Sequence, residues 1–349
     1  DSQYLQRPVY IEGIGTRAGE PDSTLGLGLG ISDTGVIAKT DDAVKTLPGE
    51  IAAGLAPLTG EYEIVALQFD IFGFSRGAAA ARDFANRIQQ QDSAIISAVR
   101  QGMKDKHYSG APAGKTRFLG LFDTVTAVGT PLNGLNPHSA DTGEVNIRLR
   151  PGVAERVFQI TAAHECRFNF ALNSVRPGWP ELALPGAHSD IGGGYLPQER
   201  EDVFLTRPQA ETVALSQPDG QSRVYRQAIA QLRVLEASPV IAPFIRNNPI
   251  AAEVWADERM PTDRYGQMQK RSFAALTLRK RIVRNDWSKV VLRVMIAAAE
   301  EAGVLFIPIP DKKNELHLPV DLSALNAKAI AMGQAVRRGK PGDVFSDEE

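Results

Sequence analysis

The apolar positions of this chain fall into a few short strand-like runs and several helical stretches. Ile64-Val65-Ala66-Leu67-Gln68-Phe69-Asp70-Ile71-Phe72 is a nearly continuous apolar run that reads as a strand. It is followed by Gly73-Phe74-Ser75-Arg76-Gly77 and then by an alanine-rich helical stretch to about Gln90. Thr116 to Phe122 is a second strand, stopping at the carboxylate of Asp123, and Pro180 to Pro185 is a short third one leading into Gly186-Ala187-His188-Ser189-Asp190-Ile191-Gly192-Gly193-Gly194-Tyr195. Pro8 to Glu12 also reads as a short strand. Helical spacing is predicted over Asp41–Leu55, with an interruption at Pro48-Gly49, and over Val153–Leu172. A helix from Trp287 to Glu301 puts Val290, Val291, Val294, Met295 and Ala298 on one face, with Asn285-Asp286 as its cap and Gly303 as its stop. Gly19 to Gly30 and Pro131 to Gly143 read as loops. From Gln198 to Tyr265 the pattern is polar and mixed, with no clear strand, and suggests an insertion or cap. These elements give an α/β fold divided into a core over 1–197, a cap or insertion over 198–265, a helical part over 266–336 that packs on the core, and a frayed tail over 337–349.

Composition narrows the picture. With 349 residues, 43% of them hydrophobic and 23% charged, the chain can bury a substantial core. A net charge of -2 gives no electrostatic case for nucleic acid. Cys166 is the single cysteine, which excludes an intramolecular disulfide and a Cys-based zinc site and reads as a buried structural thiol. No apolar stretch reaches the length of a transmembrane anchor, and the opening Asp1-Ser2-Gln3-Tyr4 has no Sec-type signal pattern. The absence of an initiator Met fits a processed or partial product.

The candidate chemistry lies at the strand ends. A strand, G-x-S-x-G and a helix form the context of a nucleophile elbow, in which a tight turn lifts a serine hydroxyl off the sheet edge. Gly73 and Gly77 would allow strand and helix to approach closely. Ser75, Asp123 and His188 follow three successive strand-like segments, and the order Ser, Asp, His is that of α/β-hydrolases. A hydroxyl is a weak nucleophile until a base takes its proton; His188 suits that task, with Asp123 holding the imidazole tautomer and stabilising the imidazolium. The backbone N–H of Arg76 is the expected first oxyanion donor. Among the other histidines, His107 and His317 sit in charged stretches, His138 lies in a polar loop and His164 falls within the predicted helix, where a structural role is favoured. Asp70 and Asp190 compete with Asp123 for the acid: Asp70 more naturally supports the elbow, and Asp190 either orders the glycine-rich turn or binds a cation. Gly13-x-Gly15 lacks the third glycine and helix of a dinucleotide fingerprint, so neither a cofactor nor a metal is expected. Arg279-Lys280-Arg281 with Arg284 reads as a solvated helix face or loop rather than a site for anionic head groups.

Three blocks carry a resemblance to a known family: Gly73 to Ala78 with Ala81-Arg82, Gly120-Leu121-Phe122-Asp123-Thr124-Val125, and Pro185 to Tyr195. Together, and with Tyr10 to Thr16 and Ala162 to Arg167 as lesser blocks, they resemble the bacterial type VI secretion lipase effectors and their α/β-hydrolase relatives over residues 8 to 200. The resemblance implies an α/β-hydrolase-like, mostly parallel sheet flanked by helices. It also implies a phospholipase acting on membrane glycerophospholipids of a rival bacterium, with Ser75, Asp123 and His188 as the matching triad. It further implies a cognate immunity protein, a secretion spike partner, and delivery from the producing cytoplasm to the periplasm or membrane of a target cell. Such proteins usually begin with a strand ending in an Asp-Gly-Thr turn, whose loop gives the second oxyanion donor; no such segment precedes Gly13 here. The alternatives are a soluble esterase of unrelated substrate and a non-catalytic secretion-associated scaffold that retains the fold.

Overall fold

The computed structural model describes residues 4–13, 35–126, 145–165, 167, 170–239, 245, 250–309 and 315–346. The glycine-rich stretch from Gly19 to Gly30, the Pro131–Gly143 loop, His138 and Cys166 lie outside the described residues. Among the described residues the first element is helix α1 (Val36–Leu55), which runs through Pro48 without the expected break. Strand β1 (Gln68–Phe74) is followed by α2 (Arg76–Gln89) and α3 (Ser93–Met103), the last capped by Asp92, whose carboxylate accepts the N–H groups of Ala94 and Ile95. Strands β2 (Lys115–Phe122), β3 (Arg156–Ala162) and β4 (Glu181–Leu184) complete a parallel sheet in the order β1-β2-β3-β4.

Alternation along these strands loads both faces of the sheet. Leu119, Leu121 and Val157 pack with Ala78, Ala81 and Ala85 of α2 on one side. Phe118, Phe158, Ile160, Leu182 and Leu184 pack on the other side against α6 (Asp286–Glu301), whose Val290, Val291, Val294, Met295 and Ala298 form the predicted stripe. Burying each of the valines and Met295 contributes about 1.5–3 kcal/mol, so α6 is an integral part of the core. Helix α7 (Ser323–Arg337) backs it through Ala329 and Met332. The stop at Gly303 is seen directly, with φ +91.

Two strand assignments change. Residues Pro8–Glu12 form no strand, and Val153–Leu172 is not a helix but contains β3. In that segment Val157, Phe158 and Ile160 are buried alternately on opposite faces of the sheet, a pattern that short apolar runs share with helical spacing.

The polar region from 198 to 265 also contains strands. β5 (Gln198–Phe204), β6 (Gln209–Ala214), β7 (Ile250–Asp257) and the long β8 (Gln269–Arg284) form an antiparallel sheet, with β5 and β6 pairing along β8 and β7 also pairing with it. Helix α5 (Arg223–Glu236) covers one face, where Val224 and Ala228 meet Leu205, Ile250, Ala274, Leu276 and Leu278. Residues 269–284 therefore belong to this sheet and not to a helical segment. The basic cluster lies on β8, where Arg279 is paired with Glu253 and Arg281 with Glu201.

Candidate active site

In the register of the parallel sheet Phe74 is opposite Phe122, so the next residues, Ser75 and Asp123, leave adjacent strands at the same edge. Both turn sharply and both have positive φ, 58° at Ser75 and 42° at Asp123. Non-glycine residues in this region are strained, and such strain gathers where a side chain must be presented. At Ser75 the turn is held from both sides: its N–H donates to the carbonyl of Phe122 at 3.0 Å, and its carbonyl accepts from Ala78 at 3.0 Å as α2 begins. The close approach expected of Gly73 is present, since a Cβ there would lie 2.4 Å from the carbonyl oxygen of Gly77. Gly77 itself is not so constrained; among the described residues a Cβ there meets nothing within 4 Å. Ser75 is half-buried, and Arg76, the first residue of α2, places its N–H at a helix N-terminus where backbone donors point outward.

Asp123 is fixed by three contacts. Its N–H donates to the Ile160 carbonyl at 2.8 Å, its Oδ1 accepts the Ala162 N–H at 3.0 Å, and its Oδ2 lies 2.6 Å from Nδ1 of His188. The acid and imidazole are almost fully enclosed, at 2% and 3% side-chain exposure. A carboxylate on Nδ1 fixes the tautomer that leaves Nε2 as the basic nitrogen, and Nε2 is buried without a hydrogen-bond partner among the described residues. The ring packs at a tilt against Phe74, at 4.5 Å between centroids, and against Phe170, at 4.7 Å. His188 opens the short helix α4 (His188–Gly192), which Gly193 ends at φ 77°. Of the three residues singled out, the structure joins Asp123 directly to His188, and it places Ser75 beside Asp123 with the neighbouring Phe74 against the imidazole.

The competing carboxylates take other places. Asp70 does not support the elbow; it receives Nε and Nη2 of Arg117 at 2.9 and 2.5 Å and ties β1 to β2. Asp190 orders its own turn, accepting the Ala187 N–H at 2.8 Å, and burial raises its pKa. No cluster of acidic, histidine or cysteine side chains suited to a metal occurs among the described residues. His107 and His317 are exposed. His164 lies in the turn just after β3, not within a helix, and its Nδ1 accepts the Gly186 N–H at 3.0 Å.

Several residues that brace the site lie within the resemblance blocks but have no role legible from the sequence alone. Arg82 is buried and donates to the Asn173 carbonyl at 3.1 Å; burial lowers its pKa to about 10, partly opposed by Glu181. Asn173 in turn donates to the Thr124 carbonyl at 2.8 Å, so α2 braces the segment just after Asp123. Glu165 accepts the His188 N–H at 3.0 Å and binds Arg167, whose guanidinium lies 4.1 Å from the Phe170 ring centroid. Ala162 to Arg167 could be marked only as a weak block, because a mid-chain Glu-x-Arg has no distinguishing spacing.

A parallel sheet with helices on both faces, an elbow serine and an acid–histidine pair at one strand edge has the architecture of an α/β-hydrolase-like fold. Residues 84–216 match the family model described as the T6SS phospholipase effector Tle1-like catalytic domain. The fold is similar to a solved structure of the Tle1 effector bound to the VgrG spike of the type VI secretion system, with 43% identity, coverage of 93% of this chain and a TM-score of 0.75. The chain spans 63% of the length of that effector. An uncharacterized protein from Pseudomonas aeruginosa is 20% identical over 86% of this chain and 34% of its own, with a TM-score of 0.38. No curated protein matches. The chain belongs to the Tle1-like family of type VI secretion effectors.

Proposed function

We propose that this chain is a serine carboxylester hydrolase acting on membrane glycerophospholipids. The observation that carries the reading is the enclosed Asp123–His188 pair at 2.6 Å beside the strained elbow of Ser75. Ser75 Oγ attacks the acyl carbonyl carbon as Nε2 of His188 takes its proton, and the Asp123 carboxylate stabilises the imidazolium. The oxyanion receives the Arg76 N–H at the start of α2. Collapse breaks the ester bond, the imidazolium protonates the departing lysophospholipid oxygen, and the acyl group stays on Ser75. Water, deprotonated by His188, then releases the fatty acid and restores the hydroxyl. Asp190 is a supporting residue of the histidine turn, and Asp70 supports only the sheet.

The family resemblance supports the glycerophospholipid substrate, the antibacterial role and a cognate immunity protein. The relative solved in complex with a secretion spike supports a spike partner. Made in the bacterial cytoplasm, the protein reaches the periplasmic or membrane side of its target by delivery; no helix among the described residues is long and apolar enough to cross a membrane. Lipid profiling of phospholipid liposomes treated with the purified protein tests the reading. Fatty acid and lysophospholipid should appear with the wild type and be absent with Ser75→Ala, and intact lipid under both treatments would refute it.

A further inference from the structure

We infer that Glu165 is a positioning residue for His188, and that the antiparallel sheet anchors it through Arg167, Glu201 and Arg281. The inference rests on the reading of His188 as the base. His188 is the first residue of α4, so its N–H has no partner within the helix. That N–H donates to Oε2 of Glu165 at 3.0 Å, while the preceding N–H, of Ala187, donates to Asp190 at 2.8 Å. Two carboxylates thus take the two donors that fix where the turn begins, and Asp123 fixes the ring at the other end.

Glu165 is itself held firmly. Its Oε1 accepts the backbone N–H and Nε of Arg167 at 2.7 and 2.9 Å, and its Oε2 accepts Nη2 at 2.7 Å. Its side chain is 8% exposed. Burial alone would raise its pKa, but the hydrogen bonds and charge of Arg167, with the His188 N–H, hold it below the usual value. Arg167 lies over Phe170, and Phe170 packs on the His188 ring, so one guanidinium orients both the carboxylate below the turn and an aromatic wall beside the imidazole.

The guanidinium continues into the second sheet. Its Nη1 is 3.9 Å from Oε1 of Glu201 on β5, and Glu201 accepts Arg281 of β8 at 2.9 Å and the hydroxyl of Tyr195 at 2.9 Å. Arg281 Nη2 is 4.0 Å from Asp190, which closes the circuit back to α4. Buried charges aligned in this way are costly unless all are paired, and pairing gives the network a defined geometry. Through this network the antiparallel sheet sets the seat of the histidine turn.

Steady-state hydrolysis of a soluble short-chain ester tests this with Glu165→Ala, Glu165→Gln and Glu201→Gln. Because a displacement of about 1 Å costs on the order of 100-fold, Glu165→Ala should lower kcat by roughly 10- to 100-fold with KM within about 2-fold. Glu165→Gln retains an oxygen for the His188 N–H and should restore most of that loss. Glu201→Gln should lower kcat several-fold, again with KM nearly unchanged, and provides the test if Glu165→Ala does not fold. A folded Glu165→Ala with wild-type kcat, a Gln variant as impaired as Ala, or a Glu201→Gln variant with wild-type kcat overturns the inference. If Ser75→Ala is dead while those results stand, the proposed function survives without it; if Ser75→Ala stays active, both fall.

Discussion

The ring of Phe74 lies so close to Gly192 that a Cβ added to the glycine would sit 2.2 Å from it. The same ring is 4.5 Å from the imidazole of His188. One side chain at the end of β1 thus sets the spacing between the turn that follows it, at Ser75, and the helix that carries the base. Gly192→Ala must displace Phe74 or α4, at a cost of about 1–3 kcal/mol for overpacking. The expected result is a lower melting temperature together with labelling by an active-site fluorophosphonate slowed by about 10-fold or more. Labelling at the wild-type rate would show that Phe74 does not set this spacing.

Ser75 is held at φ 58° and ψ -126°, a conformation glycine adopts freely and serine does not. Ser75→Ala keeps the Cβ and its strain, so it should abolish hydrolysis and leave stability nearly unchanged. Ser75→Gly should be equally inactive but more stable, by up to about 1 kcal/mol, because relief of strain outweighs the added freedom of the unfolded chain. Thermal melts of the two variants side by side decide the matter, and a glycine variant that melts below the alanine one would remove strain from the account of the elbow.

Three of the four parallel strands were legible as short apolar runs, whereas β3 was not, because Val157, Phe158 and Ile160 fit helical spacing as well as strand alternation. Ser75 and His188 could be read from a strand followed by a glycine-containing turn, and Asp123 from a strand that stops at a carboxylate. The antiparallel sheet was not legible, for a physical reason: its alternation is written in charged residues. In Gln198-Glu199-Arg200-Glu201-Asp202-Val203-Phe204 the half-buried positions are Glu199, Glu201 and Val203, and Glu201 is satisfied by Arg281 from β8, 80 residues away. A polarity scale registers only solvation there, because the compensating partner is distant in sequence. Glu165 was missed on the same ground: what distinguishes it is a backbone N–H from His188, a contact made 23 residues on.

His164 gives the fold a dependence on pH. Its Nδ1 accepts the Gly186 N–H at 3.0 Å, a bond that requires a lone pair on that nitrogen, and burial lowers its pKa from 6.5. Since the folded pKa lies below the unfolded one, the unfolded chain takes up the proton first as pH falls. The stabilisation is therefore complete above about pH 6.5 and is lost through the interval below it. His164→Asn, whose carbonyl oxygen can replace Nδ1 without titrating, should narrow the gap in melting temperature to the wild type as pH drops from about 7.5 to about 5.5. A gap that is the same at both values would exclude His164 as the group responsible.

Ile245 tests what the region between α5 and β7 does. The sequence suggests that Val240-Ile241-Ala242-Pro243-Phe244-Ile245 is an apolar patch on a cover over the lipid site. Residues 240–244 lie outside the described residues, but Ile245 packs against the cluster of Leu205, Val224, Ile250, Leu276 and Leu278 beneath α5. A side chain committed to that cluster is not free to enter a bilayer. Ile245→Ser removes apolar contact and places a hydroxyl against aliphatic neighbours, at a cost of about 1–3 kcal/mol for a half-buried position. It should lower the melting temperature and, measured well below that temperature, reduce hydrolysis of liposomes and of a soluble short-chain ester by the same factor. A selective loss on liposomes with an unchanged melting temperature would instead return Ile245 to the membrane-facing surface.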